Sequence, residues 1–420
     1  MTASYTADPV LVIGASLAGA TCAAALREAG FVGDITLLGA EAGLPYERPA
    51  LSKGYLTGGA VAADLLVYDG PFYCAQRIGL RLGEVATGLD VERQRVQLSS
   101  GQDLSYGTLV IATGATNLRP PIPGIGLSGV HQLRTQADAA ALRTAAGTAR
   151  TAVIVGMGFI GCEVAASLHG LGLQVTAVDG LPGPLWGPLG PELSAVARRW
   201  HEQRGVTLLG SCSVTAFVPD AAGTRVAAVQ LSSGDVLLAD LVVVGVGVRP
   251  ETRWLTGSPV HLVAGGAVGV DVDGRTNVDG VWAVGDVAAA WNAGTSRHER
   301  HEHWASAIAG ARRAARRIAG HDSTPGEVAY FWSDQYDKTL QYSGSHDADC
   351  RLVVRGDLSD PDRPVVAFFL RGGVVTAVLA VGAGRDFRRG QRLLGRTLDP
   401  EQLADPSVDL RSLAQPIAAP

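Results

Sequence analysis

The residues best placed to do chemistry are carboxylates that follow glycine-rich turns. Val10 to Gly19 reads VLVIGASLAG, and Ala152 to Glu163 reads AVIVGMGFIGCE. Glu41 and Asp179 lie roughly 20 residues beyond these turns, where such a unit sets an acid against a ribose hydroxyl. Backbone N–H groups at the helix start after each turn can hold a pyrophosphate. In the second turn Gly156, Gly158 and Gly161 complete the G-x-G-x-x-G spacing. In the first, Ser16 replaces the middle glycine between Gly14 and Gly19 and offers a small Cβ and a hydroxyl. With 54 glycines in the chain, one such spacing arises easily by chance, and a glycine turn can merely tighten strand–helix packing. Two copies, each with an apolar run before and an acid after, point to two bound dinucleotides.

The elements that must position these residues are legible nearby. In the first unit a strand is expected over Val10–Ile13, a helix through Thr21–Ala29, and a second strand over Ile35–Leu38 leading to Glu41. In the second unit the strand is Val153–Val155, the helix starts near Phe159, and the strand Gln174–Val178 ends at Asp179. Leu109–Ala112 reads as a strand entering the turn Thr113–Gly114. Val281–Asp286, VWAVGD, reads as a strand ending in Gly285 and Asp286. Between them, RPPIPG at Arg119–Gly124 and GVGVRP at 245–250 mark two domain crossings. The order implies that the second nucleotide domain is inserted into the first.

The fold class is therefore α/β, with two dinucleotide-binding domains and a small α+β C-terminal domain. Residues 1–117 and 248–324 form the first domain, 118–247 the inserted one, and 325–420 the last. From Glu327 the composition changes, and strands are expected near Leu352–Val354, Val365–Leu370 and Val374–Leu379. From Ala305 the chain reads as a helix carrying Arg312, Arg313, Arg316 and Arg317, a spacing that predicts a broad basic face, ordinarily solvated.

Composition narrows the function. The net charge of -5, with 40 acids against 35 bases, carries no general signature of nucleic-acid or membrane binding. MTASYTADPV has no basic start followed by a long apolar stretch, so no signal peptide is expected, and the reading is cytoplasmic. Leu241–Val248, the longest apolar-plus-glycine run, reads as a buried strand rather than a membrane span. Cys22, Cys74, Cys162, Cys212 and Cys350 form no close pair and no zinc spacing; they read as reduced, structural residues, with a disulfide between distant cysteines left open. No metal site is expected. Of the bases, only Lys53 and Lys338 are lysine. A chain that otherwise uses arginine can keep lysine where a compact charge is needed. Lys53 ends PYERPALSKG, Pro45–Gly54, whose prolines interrupt any helix or strand, so it is a site candidate beside the alternative of a chance surface residue.

Taken in order, GASLAG, PYERPALSKG, the ATG turn, GMGFIGCE, VGVGVRP, AVGDVA, EHW at 302–304 and FWSDQY at 331–336 span nearly the whole chain. In these motifs the sequence resembles the FAD- and NADH-dependent ferredoxin reductases of oxygenase systems, within the glutathione-reductase-like flavoproteins. The resemblance implies that Gly14, Ser16, Gly19, Glu41, Thr113, Gly114, Gly285 and Asp286 bind FAD, with Arg48 and Lys53 near the flavin. It implies that Gly156, Gly158, Gly161 and Asp179 bind NADH. Glu302, His303, Trp304 and Trp332 would line the flavin or nicotinamide pocket, against the alternative of core tryptophans. It also implies that Lys53 and Glu163 pair beside the flavin, where a cation stabilises the negative charge arriving with hydride and the carboxylate fixes its position. Two positions depart from the pattern: Gly39, Ala40 and Glu41 carry one acid where two are usual, and no arginine follows Asp179 in GLPGPLWG.

The activity so implied is electron transfer from NADH through FAD to an acidic [2Fe-2S] ferredoxin, which supplies an oxygenase such as a cytochrome P450. The missing cysteine pair argues against disulfide-reductase chemistry. Two alternatives remain: a nicotinamide-sensing flavoprotein resembling apoptosis-inducing factor, and a reductase of a small acceptor such as oxygen or a quinone. A chain of negative net charge would meet an acidic ferredoxin through a local patch. The Arg312–Arg317 face is the first candidate and Arg385–Arg396 the second.

Overall fold

The structure is a computed structural model that describes residues 8–322, 328–360 and 362–414. Residues 1–7 of the N-terminal segment and Glu327 lie outside the described residues. Contacts divide the chain into two compact units. The first comprises the stretches ending at Arg48, Val61–Thr116 and Val248–Ala329; the second comprises Pro49–Ala60, Asn117–Gly247 and the chain from Tyr330.

In the first unit a five-stranded parallel sheet runs in the order Val281–Ala283, Thr108–Ile111, Val10–Ile13, Ile35–Gly39, Ile78–Leu82. Its central strands are apolar on both faces because both faces are covered. Val10, Val12, Ile35, Leu37 and Val110 pack into one core with the alanines of two helices, Leu17–Glu28 and Trp304–Ile318. Leu11, Ile13, Leu38, Leu109 and Ile111 pack into a second core on the other side. Ala307, Ala311, Ala314 and Ala315 are nearly or fully buried, so a larger side chain at any of them would overfill the layer at about 1–3 kcal/mol.

The same helix corrects one sequence expectation. Its arginines do not make a broad solvated face. Arg312 is exposed, but Arg313, Arg316 and Arg317 are half-buried. Arg313 donates to the Val272 carbonyl at 2.7 Å, and Arg317 pairs with Asp273 at 3.3 Å. These guanidiniums tie the helix to the neighbouring loop.

The second unit has its own parallel sheet, ordered Thr207–Leu209, Gln174–Val178, Thr151–Val155, Leu241–Val244, Val130–His131. The apolar run Leu241–Val248 is not one continuous strand: the strand ends at Val244, where the sequence also places the start of the GVGVRP crossing after a strand over Asp240–Val244. Gly245 approaches the glycine turn, Gly247 takes a left-handed φ of 107°, and extended pairing resumes only over Val248–Pro250. From Tyr330 the chain forms a five-stranded antiparallel sheet, Tyr330–Gln335, Lys338–Gly344, Val374–Val381, Val365–Arg371, Arg351–Arg355. Alternation divides its faces. Leu340, Tyr342, Ala367, Phe369, Ala377 and Leu379 join the core built on the parallel sheet. Val366, Phe368, Leu370, Val378 and Ala380 pack under the helices Gly384–Gln391, Pro400–Ala404 and Leu410–Leu413. Pro45–Gly54, expected to be irregular, contains a short 3-10 turn, Pro49–Ser52, followed by a helical turn over Gly54–Thr57. Among the described residues no helix is long and apolar enough to cross a membrane.

Candidate functional site

Each glycine turn sits at the carboxyl end of its sheet, and packing explains most of its glycines. Gly14 has φ 118°, and a Cβ there would lie 2.1 Å from the Ala112 carbonyl oxygen. A Cβ on Gly19 would lie 1.9 Å from the Gly14 oxygen. In the second unit, Gly156 and Gly161 are required for the same reason, with contacts of 2.3 Å to Gly245 O and 1.9 Å to Gly156 O. Gly158 differs. It caps the helix Phe159–Gly170, and a Cβ there meets nothing within 4 Å. No protein neighbour demands glycine at this point, so the demand is for open backbone N–H groups at a helix start. Its counterpart Ser16 caps the helix Leu17–Glu28 without spending its hydroxyl on the cap. Both turns therefore present what a pyrophosphate needs, and the residues fit FAD and NADH.

The first unit gathers the FAD-directed candidates. Glu41 accepts from the Tyr46 hydroxyl at 2.6 Å and from Arg48 at 3.2 Å, with the Arg48 guanidinium 5.4 Å from the Tyr46 ring centre. Ribose contact from Glu41 would thus be made by a carboxylate already oriented from behind. Thr113 donates its hydroxyl to the Glu251 carbonyl at 2.7 Å, and Gly114 bends at φ 67°. At Gly285, φ 76°, a Cβ would lie 2.8 Å from the Ala18 methyl, so the Gly285–Asp286 turn abuts the first helix. The strand expected through Asp286 ends at Ala283, and a 3-10 turn, Gly285–Val287, follows. Glu302 pairs with Arg300. His303 and Trp304 begin the alanine-rich helix, and burial, aided by the positive field of His301, pushes the His303 imidazole down to about 4.

The second unit gathers the rest. The Lys53 Nζ lies 2.9 Å from Glu163 Oε2. The Glu163 side chain is 4% exposed and that of Lys53 20%, so the pair is mostly sheltered from water. Two serines complete the carboxylate's coordination: Ser52 donates to Oε2 at 2.5 Å and Ser333 to Oε1 at 2.7 Å. Charge and hydrogen bonds together hold a buried carboxylate that neither would hold alone. Ser167, one turn along from Glu163 on the same helix, donates to the Ser52 carbonyl at 2.6 Å and pins the Lys53 segment. Asp179 closes onto its own turn, accepting from the Met157 N–H at 2.5 Å and from Leu181 at 2.8 Å. Trp332 stacks on Tyr330 with ring centres 6.1 Å apart.

Sequence reasoning missed Ser52, Ser333 and Tyr46 as site residues, although each lies inside a motif it had singled out. The two serines depend on a partner far along the chain, at separations of 111 residues for Ser52–Glu163 and 170 for Ser333–Glu163, whereas Tyr46 reaches Glu41 only five positions away, across an irregular segment whose path no periodicity reveals. All five cysteines are free. Burial pushes the Cys22 thiol up to about 12 and raises that of Cys162 further, the opposite of what a redox-active thiolate requires.

Comparison with known proteins agrees with this geometry. The family described as pyridine nucleotide-disulphide oxidoreductase matches residues 8–311, and the one described as reductase C-terminal matches 330–414. The ferredoxin--NAD(+) reductase component of the anthranilate 1,2-dioxygenase system of Burkholderia cepacia is 39% identical, covering 97% of this chain and 99% of that protein. Rhodocoxin reductase of Rhodococcus erythropolis is 36% identical over 96% of this chain and 93% of its own. The reductase in the crystal structure of the covalent putidaredoxin reductase–putidaredoxin complex superposes with a TM-score of 0.92 at 31% identity, over 97% and 98% of the two chains. With both nucleotide turns, the Lys53–Glu163 pair and an end-to-end match, the chain belongs to the pyridine nucleotide-disulphide oxidoreductase family and carries its reductase C-terminal domain.

Proposed function

We propose that this protein is an NADH-dependent ferredoxin reductase, acting with FAD in the electron supply of an oxygenase. The observation that carries the reading is that relatives named as ferredoxin reductases of such systems match the chain over nearly its full length, C-terminal domain included. FAD, when bound, accepts two electrons as hydride from NADH and releases them one at a time, the conversion a one-electron iron–sulfur acceptor needs.

The chain's own residues have the following roles in this proposal. The Gly14–Gly19 turn holds the FAD pyrophosphate, with Asp286 completing that site, and Glu41, backed by Arg48 and Tyr46, takes the ribose. The Gly156–Gly161 turn holds the NADH pyrophosphate. Asp179 takes the 2'-hydroxyl of the adenosine ribose of NADH and repels a 2'-phosphate there. Thr113 and Gly114 belong to the flavin side of the first domain, and Glu302, His303, Trp304 and Trp332 are assigned to the lining of the flavin or nicotinamide pocket, as the family resemblance implies. Lys53 supplies a fixed positive charge for the negative charge that arrives with hydride, and Glu163 aims it.

The inserted-domain boundaries read from the sequence and a cytoplasmic location complete the proposal. No helix among the described residues is long and apolar enough to cross a membrane. Purified protein loaded with FAD should be yellow, bind about one FAD per chain, and reduce a [2Fe-2S] ferredoxin from NADH. A protein that takes up no FAD on reconstitution refutes the proposal. Rapid reduction of oxygen or a quinone with no turnover on any oxygenase ferredoxin would favour the small-acceptor alternative.

A further inference from the structure

From Ser333, already described on Glu163, a line of polar side chains runs on through the second unit, and beyond Ser333 it has no role in the site as described so far. The Ser333 Oγ is 2.7 Å from Glu163 Oε1, and Gln335 Nε2 lies 3.3 Å from that Oγ. Gln335 Oε1 lies 3.1 Å from His201 Nε2, and His201 Nδ1 lies 2.8 Å from the Tyr336 hydroxyl. Ser333, Gln335 and His201 are at most 1% exposed. Such a buried polar row in an otherwise apolar core is costly unless every donor and acceptor is matched.

One charge settles every proton in the row. The Glu163 carboxylate only accepts, so the single Ser333 hydroxyl proton must point at it; otherwise two acceptors would face each other at 2.7 Å. The Ser333 oxygen then accepts from the Gln335 amide NH2, which turns the Gln335 carbonyl toward His201. His201 must answer with Nε2–H, leaving Nδ1 to accept from the Tyr336 hydroxyl. Burial agrees with this tautomer by holding the imidazole neutral, its value pushed down to about 4. Every donor points toward Glu163, so the dipoles add. The row is not a proton conduit, because the Gln335 amide cannot hand a proton on while remaining an amide.

Backbone strain marks the far end. Tyr336 and Asp337 form the two-residue turn between the strands Tyr330–Gln335 and Lys338–Gly344, and Tyr336 adopts φ 57°. This left-handed position favours Asn or Gly. A tyrosine there is held by tertiary contacts: its hydroxyl on His201, and the Arg204 guanidinium 4.4 Å from its ring centre. Strain retained at a bulky residue is a reason to look for a role.

We infer that Tyr336, His201, Gln335 and Ser333 form a directional hydrogen-bond row that orients and polarises the Glu163 carboxylate, which makes His201 and Gln335 positioning residues for the Lys53–Glu163 pair. The inference rests on the proposed role of that pair in flavin reduction.

The test combines 15N-histidine NMR of the FAD-loaded protein with stopped-flow reduction by NADH. His201, assigned by its loss in His201→Gln, should be a neutral Nε2–H imidazole down to pH 5, with its Nε2 resonance displaced in Gln335→Met and its Nδ1 resonance displaced in Tyr336→Phe. Gln335→Met should slow flavin reduction by about tenfold, the worth of one buried hydrogen bond acting through the charge, with the dependence on NADH concentration unchanged. In a Glu163→Gln background the same substitution should add almost nothing.

An Nδ1–H tautomer, or a slowing that persists undiminished in Glu163→Gln, overturns the inference. Wild-type rates in Gln335→Met with a slow Glu163→Gln overturn the row while leaving the pair's role intact. Wild-type rates in Glu163→Gln overturn both. If Gln335→Met fails to fold, Tyr336→Phe carries the same NMR and kinetic arms.

Discussion

Lys53→Met is the most informative single substitution, because methionine keeps the length and apolar stem of lysine and removes only the charge. Glu163 would be left 4% exposed with two serine donors and no counter-charge. Removing one partner of a buried pair typically costs 3–5 kcal/mol. Lys53 is 20% exposed and water can partly replace it, so about 2–3 kcal/mol is expected here. The kinetic effect should be larger than any loss of FAD binding, since the charge matters most where negative charge develops. Removing one preorganised stabilising group of this kind costs on the order of 10²–10³ in rate. We expect about 10² from Lys53→Met, with Ser52 and bulk water supplying partial compensation. The assay is the anaerobic bleaching of flavin absorbance under excess NADH, with FAD content measured on the same sample. Glu163→Gln should act in the same direction but more weakly, since the amide oxygen can still accept from Lys53 or Ser333. A Lys53→Met protein with full FAD content and a reduction rate within a factor of about three of wild type would refute the electrostatic role, since the expected effect is far larger.

Gly158→Ala should fold nearly as stably as wild type yet bind NADH poorly, whereas Gly156→Ala and Gly161→Ala should be destabilised outright by their carbonyl contacts of 2.3 and 1.9 Å; thermal melting alongside NADH titration separates the cases. NADH should be preferred to NADPH in kcat/KM, and Asp179→Ser should narrow that gap while lowering thermal stability, because the carboxylate also holds the Met157 and Leu181 N–H groups; equal values for the two nucleotides in wild type would refute the ribose role. Stability should fall as pH drops from 6.5 toward 4, where the unfolded chain takes up protons that folded His201 and His303 refuse. Each contributes up to about 3 kcal/mol above that window, and denaturant titrations of His201→Gln should show a flatter acid limb; an unchanged limb would remove His201 from the effect. With the Arg313–Arg317 cluster occupied in packing, the docking prediction moves to the helix Gly384–Gln391 and the residue just beyond it, where Arg385, Arg388 and Arg392 are exposed at helical spacing. Changing all three to Gln should lower the association rate with an acidic ferredoxin and flatten its salt dependence, leaving ferricyanide reduction by NADH untouched; an unaltered salt slope places the patch elsewhere.

Local sequence determined the nucleotide turns, because each requirement there is short-ranged. Gly14 and Gly156 need left-handed φ and tight backbone approach, and an apolar run before with a helix after is enough to reveal them. The strands Val10–Ile13, Gln174–Val178 and most of the C-terminal sheet were legible for the same reason, since burial on one or both faces writes a period into the residues. In Leu241–Val248 the apolar run alone suggests one continuous strand, whereas Gly245 and Gly247 end it at Val244, where the GVGVRP crossing begins. The arginines of the helix Trp304–Ile318 misled because spacing shows only which face a residue occupies, and Val272 and Asp273 on a distant loop decide whether that face meets water. Lys53 stood out by its rarity and was matched to Glu163 through the family resemblance, but the two serine donors and the row to His201 join residues more than a hundred positions apart in the chain and left no local trace. Only tertiary structure could bring those groups together, because a buried carboxylate is stable only where distant segments deliver a charge and matched donors to the same place.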